Sequence, residues 1–309
     1  MNNHRNTRPI LAALGAMIFW SFSFVWVKVA YEAYEPLTVV VLRLVISVAL
    51  LFAFSLSIRR LQIPAKKDAG IFVLLALFEP FLYFMGESYG LKYVSSTVAA
   101  VIVATIPLFA PFFAWYFYRE RLSSMNIAGL VASFIGVTIV VTNRDFSFAA
   151  SPRGVILEFM AVFSAIAYST VLRKLAFRYN TFTIIAFQNL IGIFMFLPFW
   201  MIFEMKGFLG TPFHPGAFKA ILLLAVFASS LAFILFTFSV RSMGINRSNT
   251  YINLIPVFVA VFAWFVLGDE LTPRKFAGIA VVIAGLFLAQ IKKRKSRAPA
   301  EQQEQGRLK

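Results

Sequence analysis

The sequence predicts an all-α, polytopic membrane protein with ten transmembrane helices in two inverted five-helix repeats. Three observations carry that prediction. The 309-residue chain is 60% hydrophobic and only 14% charged, with a mean hydropathy of +0.81, whereas a soluble domain keeps about one quarter of its residues charged. Its apolar residues fall in blocks of about twenty, the length that crosses a hydrocarbon core of about 30 Å at about 1.5 Å per residue. One stretch also occurs twice. Ile106, Pro107, Phe109, Phe113, Ala114, Trp115, Leu122, Ala128, Gly129 and Gly136 return 149 positions later as Ile255, Pro256, Phe258, Phe262, Ala263, Trp264, Leu271, Ala277, Gly278 and Gly285.

In chain order the apolar segments cover residues 10–30, 37–57, 71–90, 95–117, 125–142, 154–173, 182–203, 218–239, 248–267 and 275–291. The first is as long as the others and lacks a small-residue cleavage site, so it reads as a span and not as a signal peptide. With the N-terminus inside, inner loops and tail gather about twenty basic residues, among them Arg59, Arg60, Arg173, Lys174 and Lys292, against about eight outside. The positive-inside rule then places both termini in the cytoplasm. Five spans per repeat is an odd number, so the two copies face opposite ways. The first and sixth spans match at an offset of 146, where Ser23, Lys28 and Ala30 meet Ser169, Lys174 and Ala176. The expected units are residues 1–150, residues 151–291, and a basic tail over 292–309 whose polar composition predicts disorder.

A net charge of +16 could suggest a nucleic-acid partner. The charge sits in short loops and the tail, however, where it serves topology and contact with the lipid bilayer. Cysteine is absent, which removes disulfides, thiolate nucleophiles and cysteine metal sites. The histidines, His4 and His214, lie outside the spans, and neither an H-E-x-x-H nor a G-x-S-x-G motif occurs, so no enzyme constellation and no cofactor is expected. Without a P-loop, any coupling comes from a gradient or from exchange. A channel would show polar stripes or a filter loop, and neither is evident. An inverted repeat is the architecture of a carrier; a non-transporting scaffold is the alternative.

Arg43 lies about six residues below the outer end of the second span, where an arginine costs about 2.5–3.5 kcal/mol and so seeks a cavity or a partner. Glu79 and Glu87, eight residues apart on the third span, stand about 80° apart and can line one wall. Glu87 shares the depth of Arg43 and is expected to pair with it. Glu79, near mid-membrane beside Pro80, is a candidate proton site, which makes protons the candidate coupling ion. The second half offers neutral groups: Tyr168, Gln188, Asn189 and Asn253, with Ser229 and Ser230. Trp20, with Phe22 and Trp26, could supply an apolar wall. A small polar or zwitterionic substrate suits charge on one side and amides on the other. Pro107 and Pro256 each remove a backbone hydrogen bond at equivalent places and are expected as helix hinges. Gly129, Gly136, Gly278 and Gly285 form a small-residue stripe, read as close helix packing or a homodimer contact.

The run GLKYVSSTVAAVIVATIPLF (Gly90 to Phe109) and the charged hairpins YRERLS (Tyr118 to Ser123) and GDELTP (Gly268 to Pro273) carry a family likeness. With them the chain resembles the drug/metabolite transporter superfamily, specifically its EamA-type members with ten helices, from about residue 8 to residue 291. The resemblance implies a secondary transporter of a small metabolite such as an amino acid, an exporter in the first instance, in the inner membrane. It also implies a central cavity between the halves and peripheral fifth and tenth helices. The sequence departs from many relatives by placing two carboxylates in FEPFLYFMGESYG (Phe78 to Gly90).

Overall fold

In the computed structural model the described residues are 4–109, 124–141, 150–243, 248–270 and 272–290. They are helical, without strands among them: α1 (His4–Ala30), α2 (Pro36–Ser57), α3 (Ala69–Ala76), α4 (Tyr83–Tyr93), α5 (Ser96–Val103), α6 (Ser124–Val141), α7 (Pro152–Ala176), α8 (Thr181–Phe203), α9 (Met205–Gly210), α10 (Pro215–Leu223), α11 (Ala232–Met243), α12 (Ile255–Leu267) and α13 (Pro273–Gln290). Local chemistry sets many of these bounds. Pro36, Pro152 and Pro215 open α2, α7 and α10, where the missing N–H sacrifices nothing. Ser95 and Asn180 cap α5 and α8 by accepting from Val98 N (3.3 Å) and Thr183 N (2.9 Å). Gly268 closes α12 at φ 69°, a left-handed angle that glycine adopts freely.

Six stretches are long and apolar enough to cross a membrane: Thr7–Ala30, Pro36–Ser57, Lys66–Tyr93, Pro152–Ala176, Thr181–Phe203 and Pro215–Met243. Shorter apolar helices cover Ser96–Phe109, Ile127–Val140 and Tyr251–Leu267. The chain is a multi-pass membrane protein. The hairpin Tyr118 to Ser123, with Phe113, Ala114 and Trp115 of the repeated motif, lies outside the described residues.

Four irregularities interrupt the spans, and they recur at the repeat spacing. Between α3 and α4 the helix widens over Leu77–Leu82, and Glu79 takes extended angles (φ −148°, ψ 120°). Between α10 and α11 it widens over Leu224–Leu231. After α5 a turn at Ala104 and Thr105 precedes Pro107, and a tight 3-10 turn over Thr250–Leu254 precedes Pro256. The two prolines therefore follow the breaks instead of sitting in mid-helix. Pro256 occupies the first turn of α12. The first break is served by its neighbours: Ser164 of α7 donates to the Phe78 carbonyl at 2.8 Å. A Cβ on Gly192 of α8 would overlap the Pro80 ring. Backbone groups freed by a broken helix thus find partners within the protein, as a membrane interior demands.

Three contacts hold the spans together. α6 and α13 pack on their glycines: a Cβ on Gly136 would come within 2.7 Å of Val282 N, and one on Gly285 within 2.7 Å of Gly129 O. The small-residue stripe is consumed by this intramolecular contact. α4 and α7 meet the same way: a Cβ on Gly86 would come within 2.5 Å of Leu157 O. α2 packs along α8, and polar staples close both ends of this region, one between the start of α3 and the α7–α8 connection and one between α2 and the end of α8. At one end Arg178 pairs with Asp68 (2.6 Å), and Tyr179 OH donates to the same carboxylate (2.7 Å). At the other, Glu204 accepts from Leu37 N (3.1 Å), Thr38 N (2.7 Å), Thr38 Oγ1 (3.0 Å) and Tyr89 OH (3.3 Å). An anion there answers the orphan donors and the positive end of α2. Glu204→Ala is expected to cost about 1–3 kcal/mol and lower the melting temperature. Glu204→Gln, whose amide oxygen still accepts, costs less; thermal unfolding of both variants in detergent checks the order.

Candidate functional site

At the level of the breaks, a partly open cavity, with about 620 Å³ of empty space counted out to the open solvent, lies among α1, α2, the Leu77–Leu82 turn, α4, α5, α7, α11 and the start of α12. Arg43, Glu79, Glu87, Tyr83 and Tyr168, with Ser23 and Ser169, are its polar lining; Trp20, Phe24, Phe84, Phe233 and Phe236 are its aromatic wall. Arg43 is 2% exposed, yet a guanidinium keeps its charge in any surroundings, so its partners decide whether the site is stable. Its Nε donates to Ser229 Oγ at 2.8 Å, within the α10–α11 break. Its planar face lies over the Phe84 ring, 4.2 Å from the centroid. Its Nη1 has no protein partner.

The expected Arg43–Glu87 pair does not form: the two line one cavity, but no ion pair within 4.0 Å joins them. Ser229, brought close by the widened helix, takes the guanidinium, and Glu87 Oε1 instead accepts from Tyr83 OH at 3.1 Å. Glu79 reaches the cavity because its backbone is extended there, at the break itself. Tyr168 lines the same space, its buried hydroxyl beside the Gln188 amide but without a hydrogen bond within 3.5 Å.

Other expected residues lie elsewhere. Gln188, Asn189 and Asn253 are buried but do not line the cavity. Asn189 Nδ2 donates to Ser47 Oγ (3.0 Å) and to Ser229 O (3.1 Å), and Ser47 also meets Ser230 Oγ (2.7 Å). Asn189 thus steadies the break that holds Arg43. The Asn253 side chain has no protein partner, and the Gln188 amide lies beside the Tyr168 hydroxyl without a hydrogen bond within 3.5 Å. Phe22 and Trp26 stack with each other (5.2 Å), and Phe22 stacks on Phe262 (3.8 Å), leaving Trp20 alone of the three at the cavity. Two groups escaped the sequence reasoning. Tyr83 is one of ten tyrosines and carries no signal of its own. Glu158 did carry one, as the lone acid of an otherwise apolar span; it is fully buried, and neither carboxyl oxygen has a partner.

Comparison with known proteins follows the same outline. An uncharacterized transporter of Archaeoglobus fulgidus is 25% identical, aligned over 93% of this chain and 99% of its own. The uncharacterized transporter YcxC of Bacillus subtilis is 26% identical over 94% of this chain and 95% of its own. A probable terminal-alkyne amino-acid exporter of Streptantibioticus cattleyicolor is 23% identical over 91% and 93%. A crystal structure 18% identical in sequence superposes with a TM-score of 0.69, covering 92% of this chain and 98% of that one, and shares the fold. The names are those of transporters, not enzymes. The family profile described as "EamA-like transporter family" matches twice, over residues 7–142 and 152–290, and the chain belongs to that family.

Proposed function

We propose that the protein is a secondary carrier that exports a small polar metabolite of the amino-acid class across the inner membrane by alternating access. The single observation behind this reading is the cavity. It sits where the spans break, and it presents a guanidinium, two carboxyls and two phenols against an aromatic wall. That set suits a zwitterion: Arg43 for the carboxylate, Glu79 or Glu87 for the ammonium, and Trp20 and Phe233 for the side chain. The relative named as an amino-acid exporter supports the substrate class.

We further read the chain as ten spans in two inverted repeats, residues 1–150 and 151–291, with both termini cytoplasmic. Support comes from the contact between the last helices of each half. The Ser133 hydroxyl donates at 3.1 Å to the carbonyl of Val282, its own counterpart 149 positions on. Counterparts meet in this way on a twofold axis.

Uptake of a panel of labelled amino acids into proteoliposomes, with and without an imposed pH gradient, tests the reading. Glu79→Gln is expected to cut the rate roughly tenfold, the equivalent of about 1.4 kcal/mol, and to flatten its pH dependence. A rate and pH profile equal to those of the parent would refute proton linkage at Glu79. No movement of any solute would refute the carrier reading.

A further inference from the structure

Outside the cavity, Glu158 of α7 is a carboxyl with 0% exposure and no hydrogen bond to either oxygen. It is sealed by a backbone-to-backbone contact. A Cβ on Gly90 of α4 would come within 2.6 Å of Glu158 Oε1, one on Gly86 within 2.5 Å of Leu157 O, and one on Gly154 within 2.8 Å of Tyr93 Cβ. At the same end of α4, Lys28 of α1 donates to the carbonyls of Leu91 and of Val94 (2.8 Å), the residues that follow Gly90. Lys28 is the cation acting on Glu158 and Glu87 the anion; the Asp269 carboxylate also acts on Lys28, ahead of Glu158, and the phenols of Tyr31 and Tyr83 are within electrostatic reach of Glu158. The Leu77–Leu82 turn adds Glu79, while α3, α5 and α8, also packed on α7, bring no titratable side chain.

A carboxylate held in low dielectric without a donor is not stable, whereas the protonated acid is neutral. A metal cation would need several such ligands, and no cluster of three or more acidic or histidine groups occurs among the described residues. We propose that Glu158 is a proton-binding site, loaded in this conformation, whose counter-ion in the alternate conformation is Lys28. Release sends the O–H proton to water and leaves a carboxylate. Lys28 then moves from the Leu91 and Val94 carbonyls onto that carboxylate, and water replaces it at the helix end. Because those carbonyls terminate α4, the exchange acts on the helix that carries Tyr83 and Glu87 into the cavity. Proton occupancy stands by itself; its place in transport rests on the carrier reading.

Infrared spectroscopy of the full-length protein in lipid nanodiscs tests occupancy without any substrate, with the proton as the probe. Near neutral pH the parent should show a protonated-carboxyl C=O band that Glu158→Gln loses while keeping its melting temperature. Glu79→Gln and Glu87→Gln leave that band in place. Lys28→Met should keep it at an alkaline pH where the parent has lost it. An unchanged spectrum in Glu158→Gln overturns the site, and an unchanged titration in Lys28→Met overturns the counter-ion. If the infrared results hold and no solute moves in proteoliposomes, the carrier reading fails and the proton site survives.

Discussion

Arg43→Met is expected to abolish binding of an amino-acid substrate, and Arg43→Lys to weaken it at least tenfold, in titrations of the purified protein. Hydrogen bonds to a charged group contribute about 1.5–3 kcal/mol each, so losing one or two at the substrate carboxylate spans roughly ten-fold to beyond a hundred-fold. Lysine is not a conservative replacement here. The guanidinium performs three tasks at once: Nε donates to Ser229, the planar face lies on Phe84, and Nη1 faces no protein acceptor. An ammonium on a flexible stem cannot donate to Ser229 and also keep a fork free for a ligand. Ser229→Ala serves as the control. It removes the orienting acceptor but not the charge, so its effect should fall between those of the parent and Arg43→Lys. Unaltered affinity in Arg43→Met would remove Arg43 from the site, whatever the fate of the carrier reading.

Helix positions were legible in the sequence because the bilayer imposes one length and one polarity on every span. Four of the six long membrane-crossing stretches coincide with predicted segments to within a few residues; Lys66–Tyr93 and Pro215–Met243 begin earlier or end later, running on into polar ends. Arg43, Glu79, Glu87, Tyr168 and Trp20 converge on one cavity because buried charge in lipid has nowhere else to go. Partners were not legible. Depth along a helix put Arg43 level with Glu87, but which group faces which depends on helix rotation, and the widened turn at Leu224–Leu231 rotates Ser229 into place. The same holds for Asn189, whose polarity was visible but whose task, bracing a broken helix, was not. Glu158 was visible as a letter and invisible as a problem, since only the packing of Gly90 shows that nothing solvates it.

Gly278→Leu is expected to produce the largest loss of stability of any single change outside the cavity. α6 and α13 cross so closely that each glycine abuts the other helix's backbone: a Cβ on Gly136 would lie 2.8 Å from Gly278 O, and one on Gly278 would lie 2.9 Å from Gly136 O. Overpacking a well-filled site ordinarily costs about 1–3 kcal/mol, because neighbouring side chains give way. Here the obstructing atoms are carbonyls held in helical hydrogen bonds, so the helices must separate. Separation also breaks the Ser133–Val282 bond. A cost above about 3 kcal/mol follows, read as a fall in melting temperature. Gly70→Ala, near the start of α3, supplies the opposite sign. A Cβ there meets nothing within 4 Å, and alanine in a helix gains up to about 1 kcal/mol over glycine. Thermal unfolding of the two variants in one detergent separates packing from propensity. Gly278→Ala is the sharper probe, because propensity alone would stabilise it and only the close crossing of α6 and α13 makes it fall. Were Gly278→Ala to melt as high as Gly70→Ala, the crossing could not be as close as the geometry has it.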